Sequence, residues 1–228
     1  MNFDWLLTQV FSYMNRFYSA VASPEALLAQ SEGSPDKNIT EAVIFFVISV
    51  GVETAGLDFL TNKNVDFPQE LISLGLVGVI FMVVTSLGAF VAWRVVGSSL
   101  PFGVFLRGTA YYTGVIFVFG MVFSVAFVGA VSRFSPGALA EARLAVWSVF
   151  IRPQEMEHPN FPENWADGVV LVTFISCGIS YLTWAWWRSY GKLSKLDRKH
   201  TAWAFLNFLS YQVIVTSLLR GVAAAVRR

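Results

Sequence analysis

The strongest constraint in this chain is a set of five apolar runs, at about residues 39–60, 71–93, 109–132, 167–187 and 202–226, each 21 to 25 residues long. A helix of about 20 apolar residues crosses a bilayer core, so each run is read as a membrane span. Composition agrees: 55% of the 228 residues are hydrophobic and 14% charged, against about 45–50% and 25% in soluble domains. The intervening pieces hold 38, 10, 15, 34, 14 and 2 residues, all shorter than the roughly 50 residues at which a domain folds alone. The sequence therefore predicts an all-α, polytopic integral membrane protein. It has five transmembrane helices, an N-terminal interfacial or cytoplasmic segment over 1–38 and a membrane domain over 39–228.

The segment before the first span has its own pattern. Phe3, Leu6, Leu7, Val10, Phe11, Met14, Phe17, Tyr18 and Val21 recur at three- and four-residue spacing, with Asp4, Gln9, Asn15 and Arg16 on the other side. This is an amphipathic helix suited to the membrane interface or to packing across the end of a bundle. Asp4 stands where a signal peptide carries positive charge, and no long apolar region follows, so the segment is expected to be retained. Ser23-Pro24-Glu25 reads as the start of a short helix reaching Gln30, and SEGSPDKN as a polar linker. Between the third and fourth spans, Ser135-Pro136 opens a second predicted interfacial helix. The proline-rich, acidic loop after it carries Glu155, Glu157, Glu163 and Asp167.

Orientation follows from Lys and Arg, which accumulate in cytoplasmic loops. Nine lie near the span ends on the N-terminal side of the membrane and six on the other, and five of the nine, Arg188, Lys192, Lys195, Arg198 and Lys199, share one loop. The expected topology is N-terminus cytoplasmic and C-terminus outside. Trp93, Trp184, Trp186, Trp187 and Trp203 then gather at the inner interface and Trp165 at the outer one, where amphipathic rings are enriched.

Ionisable groups inside spans are expensive and therefore point to function. Glu53, Asp58 and Arg220 form this cluster, at depths of roughly 21, 28 and 28 Å from the cytoplasmic side at about 1.5 Å per residue. Two readings stand: an ion pair stapling the first and last helices, or a proton or cation site centred on Glu53. A second constellation, WRVVGSSLPFGVFLRGTAYYTG from Trp93 to Gly114, sets Arg94 and Arg107 among glycines. It matches neither a P-loop nor a dinucleotide fingerprint. Arg94 and Arg107, with the five basic residues of the 188–199 loop, are candidate contacts for anionic head groups.

Other chemistries find little support. The single cysteine, Cys177, removes any intrachain disulfide or cysteine-based zinc cluster. His158 and His200 fall on opposite sides of the predicted membrane. No metalloprotease or nucleophile-elbow pattern is present, so no catalytic residue, metal or cofactor is expected. A net charge of +1 gives no basic field for nucleic acid. Small residues four apart, Gly51 with Ala55, Ala126 with Ala130, Ser176 with Ser180 and Gly221 with Ala225, mark candidate close contacts of helices within or between chains.

The order of these features resembles the Yip1 family of small multi-span proteins, particularly its bacterial members. The resemblance, over about residues 17–226, rests on VASPEALLAQ before a five-span core, on GSSLPFGVFLRGTAYYTG between the second and third spans, and on the basic loop within LTWAWWRSYGKLSKLDRKHTAWAF. It implies an integral protein of the bacterial inner membrane, with an ER or Golgi membrane as the alternative. The expected role is a non-enzymatic scaffold or accessory subunit contacting anionic lipids at the cytoplasmic face and a membrane-protein partner or a second copy. The alternative is a small ion or solute translocator.

Overall fold

A computed structural model describes residues 3–29, 35–61, 67–134, 137 and 165–226. Among them the regular elements are α1 (Phe3–Ala22), α2 (Pro24–Ala29), α3 (Pro35–Thr61), α4 (Phe67–Val95), α5 (Phe102–Phe134), α6 (Trp165–Leu193) and α7 (Arg198–Val226), with no strand. Among the described residues, three helices contain stretches long and apolar enough to cross a membrane: Ile39–Gly56 in α3, Gly75–Val95 in α4 and Phe102–Arg133 in α5. The fourth and fifth predicted spans fall within α6 and α7. The helix expected between 133 and 166 lies outside the described residues, apart from the end of α5 and Gly137.

Local chemistry explains where helices stop. Ser23 ends α1 through its N–H, bonded to the Ser19 carbonyl at 2.9 Å, and starts α2 through its carbonyl, which accepts from Leu27 N–H at 3.2 Å. Pro24 lacks an N–H and disfavours helical geometry at Ser23, so the break falls there. Helix α4 ends in a Schellman turn: Gly97 has φ +95°, its N–H reaches Arg94 O at 3.0 Å, and Ser98 N–H reaches Trp93 O at 2.9 Å. Helix α6 ends the same way, with Lys195 N–H on Lys192 O and Leu196 N–H on Gly191 O, both at 3.0 Å. Here Lys195 takes φ 55°, a left-handed conformation that costs a non-glycine residue about 1–2 kcal/mol. The Ser98 and Ser194 hydroxyls, 2.7 Å apart, tie the two turns together.

Helix α5 starts at Phe102, directly after Pro101, whereas the apolar pattern places the third span from 109. The glycines and Arg107 that weaken that pattern are accommodated by packing, with Gly108 against Tyr190 and Gly103 beside Ile39. A short turn over 96–101 thus replaces most of the expected connection.

The chain divides into two compact units. The first comprises Met1–Val43, Val79–Tyr112 and Thr183–Arg228, and its core is aromatic. Tyr190 stacks on Phe105 at 4.8 Å, Trp93 meets Trp187 at 5.3 Å, and Trp187 meets Phe208 at 5.1 Å between ring centroids. Trp187 Nε1 donates to Thr201 O at 3.0 Å. The second unit comprises Ile44–Gly78 and Thr113–Leu182. In it Phe46 meets Phe117 at 5.9 Å, and Gly56, Gly78 and Gly114 let side chains of neighbouring helices approach their backbones.

Polarity is distributed as a lipid solvent requires. Ser49, Thr54, Ser86 and Ser124 are buried, and each hydroxyl donates to the carbonyl four residues earlier at 2.6–2.9 Å. Ile44, Val47, Val52, Ile80 and Phe81 are exposed instead. Small and hydroxylic residues at helix contacts, with aliphatic residues outward, suit an apolar surrounding.

Ala55, Ala126, Ala130, Ser176 and Ser180 are exposed, and Gly51 has nothing within 4 Å of a Cβ position, so among the described residues these small-residue pairs are not packed inside the chain and face outward. Gly221 and Ala225 lie outside the residues with described side chains. Trp93, Trp186 and Trp187 are buried among the side chains of the first unit, while Trp184 and Trp203 are exposed. Position along a helix gives depth, but the direction in which a side chain points comes from the neighbours.

At Gly114 an added Cβ would lie 2.7 Å from the Phe45 ring and 2.9 Å from Ser49 Oγ, both buried, whereas at Gly129 it would meet nothing within 4 Å. Gly114→Ala is expected to lower stability by about 1–3 kcal/mol through overpacking, and Gly129→Ala to leave it unchanged or slightly raised. Thermal unfolding in detergent checks the contrast.

Candidate functional site

Within the first unit, a set of charged side chains ties α1 and α2 to the helices beside them. Arg107, in the second turn of α5, is only 4% exposed. Its Nη2 donates to the carbonyl of Leu28 in the last turn of α2. A guanidinium there meets both a terminal carbonyl and the negative end of the helix dipole. At the other end of α2, Glu25 pairs with Lys192 of α6, an exposed contact. Arg16 of α1 pairs with Glu41 of α3 at 3.0 Å, partly exposed, and hydrogen-bonds the Tyr111 hydroxyl. Three ties thus link the N-terminal helices to α3, α5 and α6.

Between these ties lies a cavity of about 290 Å³ lined by Ser12, Asn15, Arg16, Ser19, Leu27, Glu41, Arg107 and Tyr111. Arg107 Nε is buried and has no hydrogen-bond partner among the described residues. A second, open concavity of about 520 Å³ runs beside α2, with Glu25, Arg188 and Lys192 on its wall.

The other sequence-predicted residues are dispersed. Arg94 is exposed, with its guanidinium 5.1 Å over the Phe90 ring and Nη1 donating to Ser98 O at 3.2 Å, so it braces the turn after α4. Arg188, Lys195, Arg198 and Lys199 are exposed around the end of α6 and the start of α7. There Asp197 caps α7: its Oδ1 accepts His200 N–H at 2.9 Å and faces His200 Nδ1 at 2.6 Å. These bonds hold the Asp197 carboxyl below the usual carboxylate range.

Glu53 is 1% exposed in the second unit, and its Oε2 has no hydrogen-bond partner among the described residues. Asp58 and Arg220 stand in α3 and α7, but their side chains, and any pairing with Glu53, lie outside the described residues. Among the described residues, no group of three His, Cys, Asp or Glu side chains is disposed to hold a metal ion.

Sequence reasoning selected Arg107 and Lys192 but missed Glu25, Arg16, Glu41 and Tyr111. Glu25 in the first turn of α2 and Arg16 on the polar face of α1 were visible as charges. Their partners are 167 residues away for Glu25 and on another helix for Arg16, which no local pattern reveals. Comparison with family models, curated proteins and solved structures finds no match.

Buried charge-assisted hydrogen bonds contribute about 1.5–3 kcal/mol, exposed ion pairs about 0–1. Arg107→Ala is therefore expected to destabilise the protein by roughly 2 kcal/mol and to release α2 to protease. Lys192→Ala changes stability by less than about 1 kcal/mol. Limited proteolysis across 23–34, with thermal unfolding, compares the two.

Proposed function

We propose that this chain is a five-span, Yip1-like integral membrane protein of the bacterial inner membrane, N-terminus cytoplasmic and C-terminus outside. It acts without catalysis, as a scaffold or accessory subunit that binds membrane partners or anionic lipids. The observation that carries this reading is the outer face of α1. Val10, Phe11, Met14 and Tyr18 are 50–71% exposed, although α1 is linked to the rest of its unit through Arg16. A row of large apolar side chains held in this way suits insertion at a head-group boundary or docking of a partner helix. The 29-residue lengths of α6 and α7 support the fourth and fifth spans, and the basic residues from Arg188 to Lys199 support a cytoplasmic location for that turn.

Single-cysteine labelling in a Cys177→Ala background tests the topology. In intact cells Glu157→Cys is expected to react with an impermeant maleimide, and Lys195→Cys only after permeabilisation. The reverse pattern overturns the orientation. Crosslinking from native membranes is expected to capture a stoichiometric membrane partner or a second copy; recovery solely as a lipid-free monomer overturns the scaffold role.

A second reading, a small ion or solute translocator, is favoured by one observation: the buried Glu53 carboxylate oxygen without a described partner. Buried acids inside spans commonly mark ion pathways. Glu53→Gln is expected to abolish any flux measured in proteoliposomes; flux that survives the substitution removes this reading.

A further inference from the structure

We propose that the cavity beneath α1 is a binding site for a phosphate group, held by the guanidinium groups of Arg107 and Arg16. The inference rests on the reading of the α1–α2 region as the head-group side of the molecule.

Three features of the cavity point to an anion. Among the described residues its charged lining is two guanidinium groups against one carboxylate, Glu41, which already pairs with Arg16. Arg107 is 4% exposed, and only part of its donor set is used. One nitrogen serves Leu28, while Nε, shut off from solvent, finds no acceptor among the described residues, and the side chain as a whole stands on the cavity wall. A buried cationic donor of this kind is costly until an acceptor arrives. The rest of the polar lining consists of Ser12, Ser19, Asn15 and Tyr111, hydroxyl and amide groups able to donate to a tetrahedral oxyanion.

Size and chemistry select phosphate. A volume of about 290 Å³ is that of about ten waters, at about 30 Å³ each in the liquid, and takes one phosphate group with some of its hydration. Guanidinium forks match phosphate oxygens in a bidentate manner that a point charge does not. Free phosphate and the phosphodiester of an anionic lipid share this chemistry.

The full-length protein in detergent provides the test. Its Tm is followed against inorganic phosphate, dihexanoyl-phosphatidylglycerol and, as controls, dihexanoylglycerol and chloride at matched ionic strength. Ligands of the folded state raise Tm saturably. Arg107→Lys keeps a cation for the Leu28 carbonyl but loses the guanidinium fork. Ser12→Leu fills the cavity and leaves both arginines in place. Each is expected to raise the half-saturating concentration roughly tenfold to a hundredfold, the equivalent of one charge-assisted bond. Glu41→Gln, which frees Arg16, is expected to lower it, a sign that a purely structural role for these residues does not produce.

Saturation by inorganic phosphate supports a site for the phosphate group itself, and saturation by the phosphatidylglycerol alone supports a lipid head group. No response to either, an equal response to chloride or dihexanoylglycerol, or an unchanged response in both Arg107→Lys and Ser12→Leu overturns the site. The scaffold reading fails separately, by labelling and crosslinking, because the Tm assay requires neither partner nor membrane.

Discussion

A peptide group in hydrocarbon has no water to bond, so each N–H and C=O must find a partner within the protein, and a continuous helix is the simplest way to supply one. The long apolar stretches of α3, α4 and α5 obey this constraint, and much of the rest of the molecule follows from it. Buried Ser49, Thr54, Ser86 and Ser124 return their hydroxyls to carbonyls of their own helices. Helix contacts then depend on close approach, which is why Gly56, Gly78, Gly88 and Gly114 sit against neighbouring side chains.

The ends of these helices need different solutions. Gly97 and Lys195 close α4 and α6 through paired Schellman turns, and Ser98 and Ser194 link them. Helix α2, at six residues, is too short to be stable by itself. It is held by packing of Leu27 and Leu28 and by the Arg107 bond to the Leu28 carbonyl. Arg107 thereby couples the placement of the N-terminal helices to the polar cavity it lines, so one buried cation serves both architecture and the proposed anion site.

Much of the architecture was legible in the chain because it depends on segment length and period. The apolar runs marked the membrane-length stretches of α3, α4 and α5, the three-and-four spacing marked α1, and Ser23-Pro24 marked the junction before α2. Small residues were the least legible feature. Gly103 and Gly108 suggested a loop that is helical in α5, and Ala55, Ala126, Ala130, Ser176 and Ser180, from the pairs spaced by four, are exposed. Arg107 was legible as a candidate anion contact, but its buried environment and its tie to Leu28 were not.

The amino-acid sequence alone determined the all-helical character, the apolar stretches able to cross a membrane and most of the breaks between helices. Those depend on hydropathy, periodicity and the backbone chemistry of proline and glycine, which are properties of neighbouring residues in the chain. Tertiary structure alone decided that Trp93 and Trp187 form a core, that Gly114 rather than Gly129 is a contact, and that Arg16, Glu41, Arg107 and Tyr111 line one cavity. Each of those requires a partner brought from a distant segment. The direction a side chain faces around its helix is settled by that partner, and its own sequence carries no record of which helix arrives.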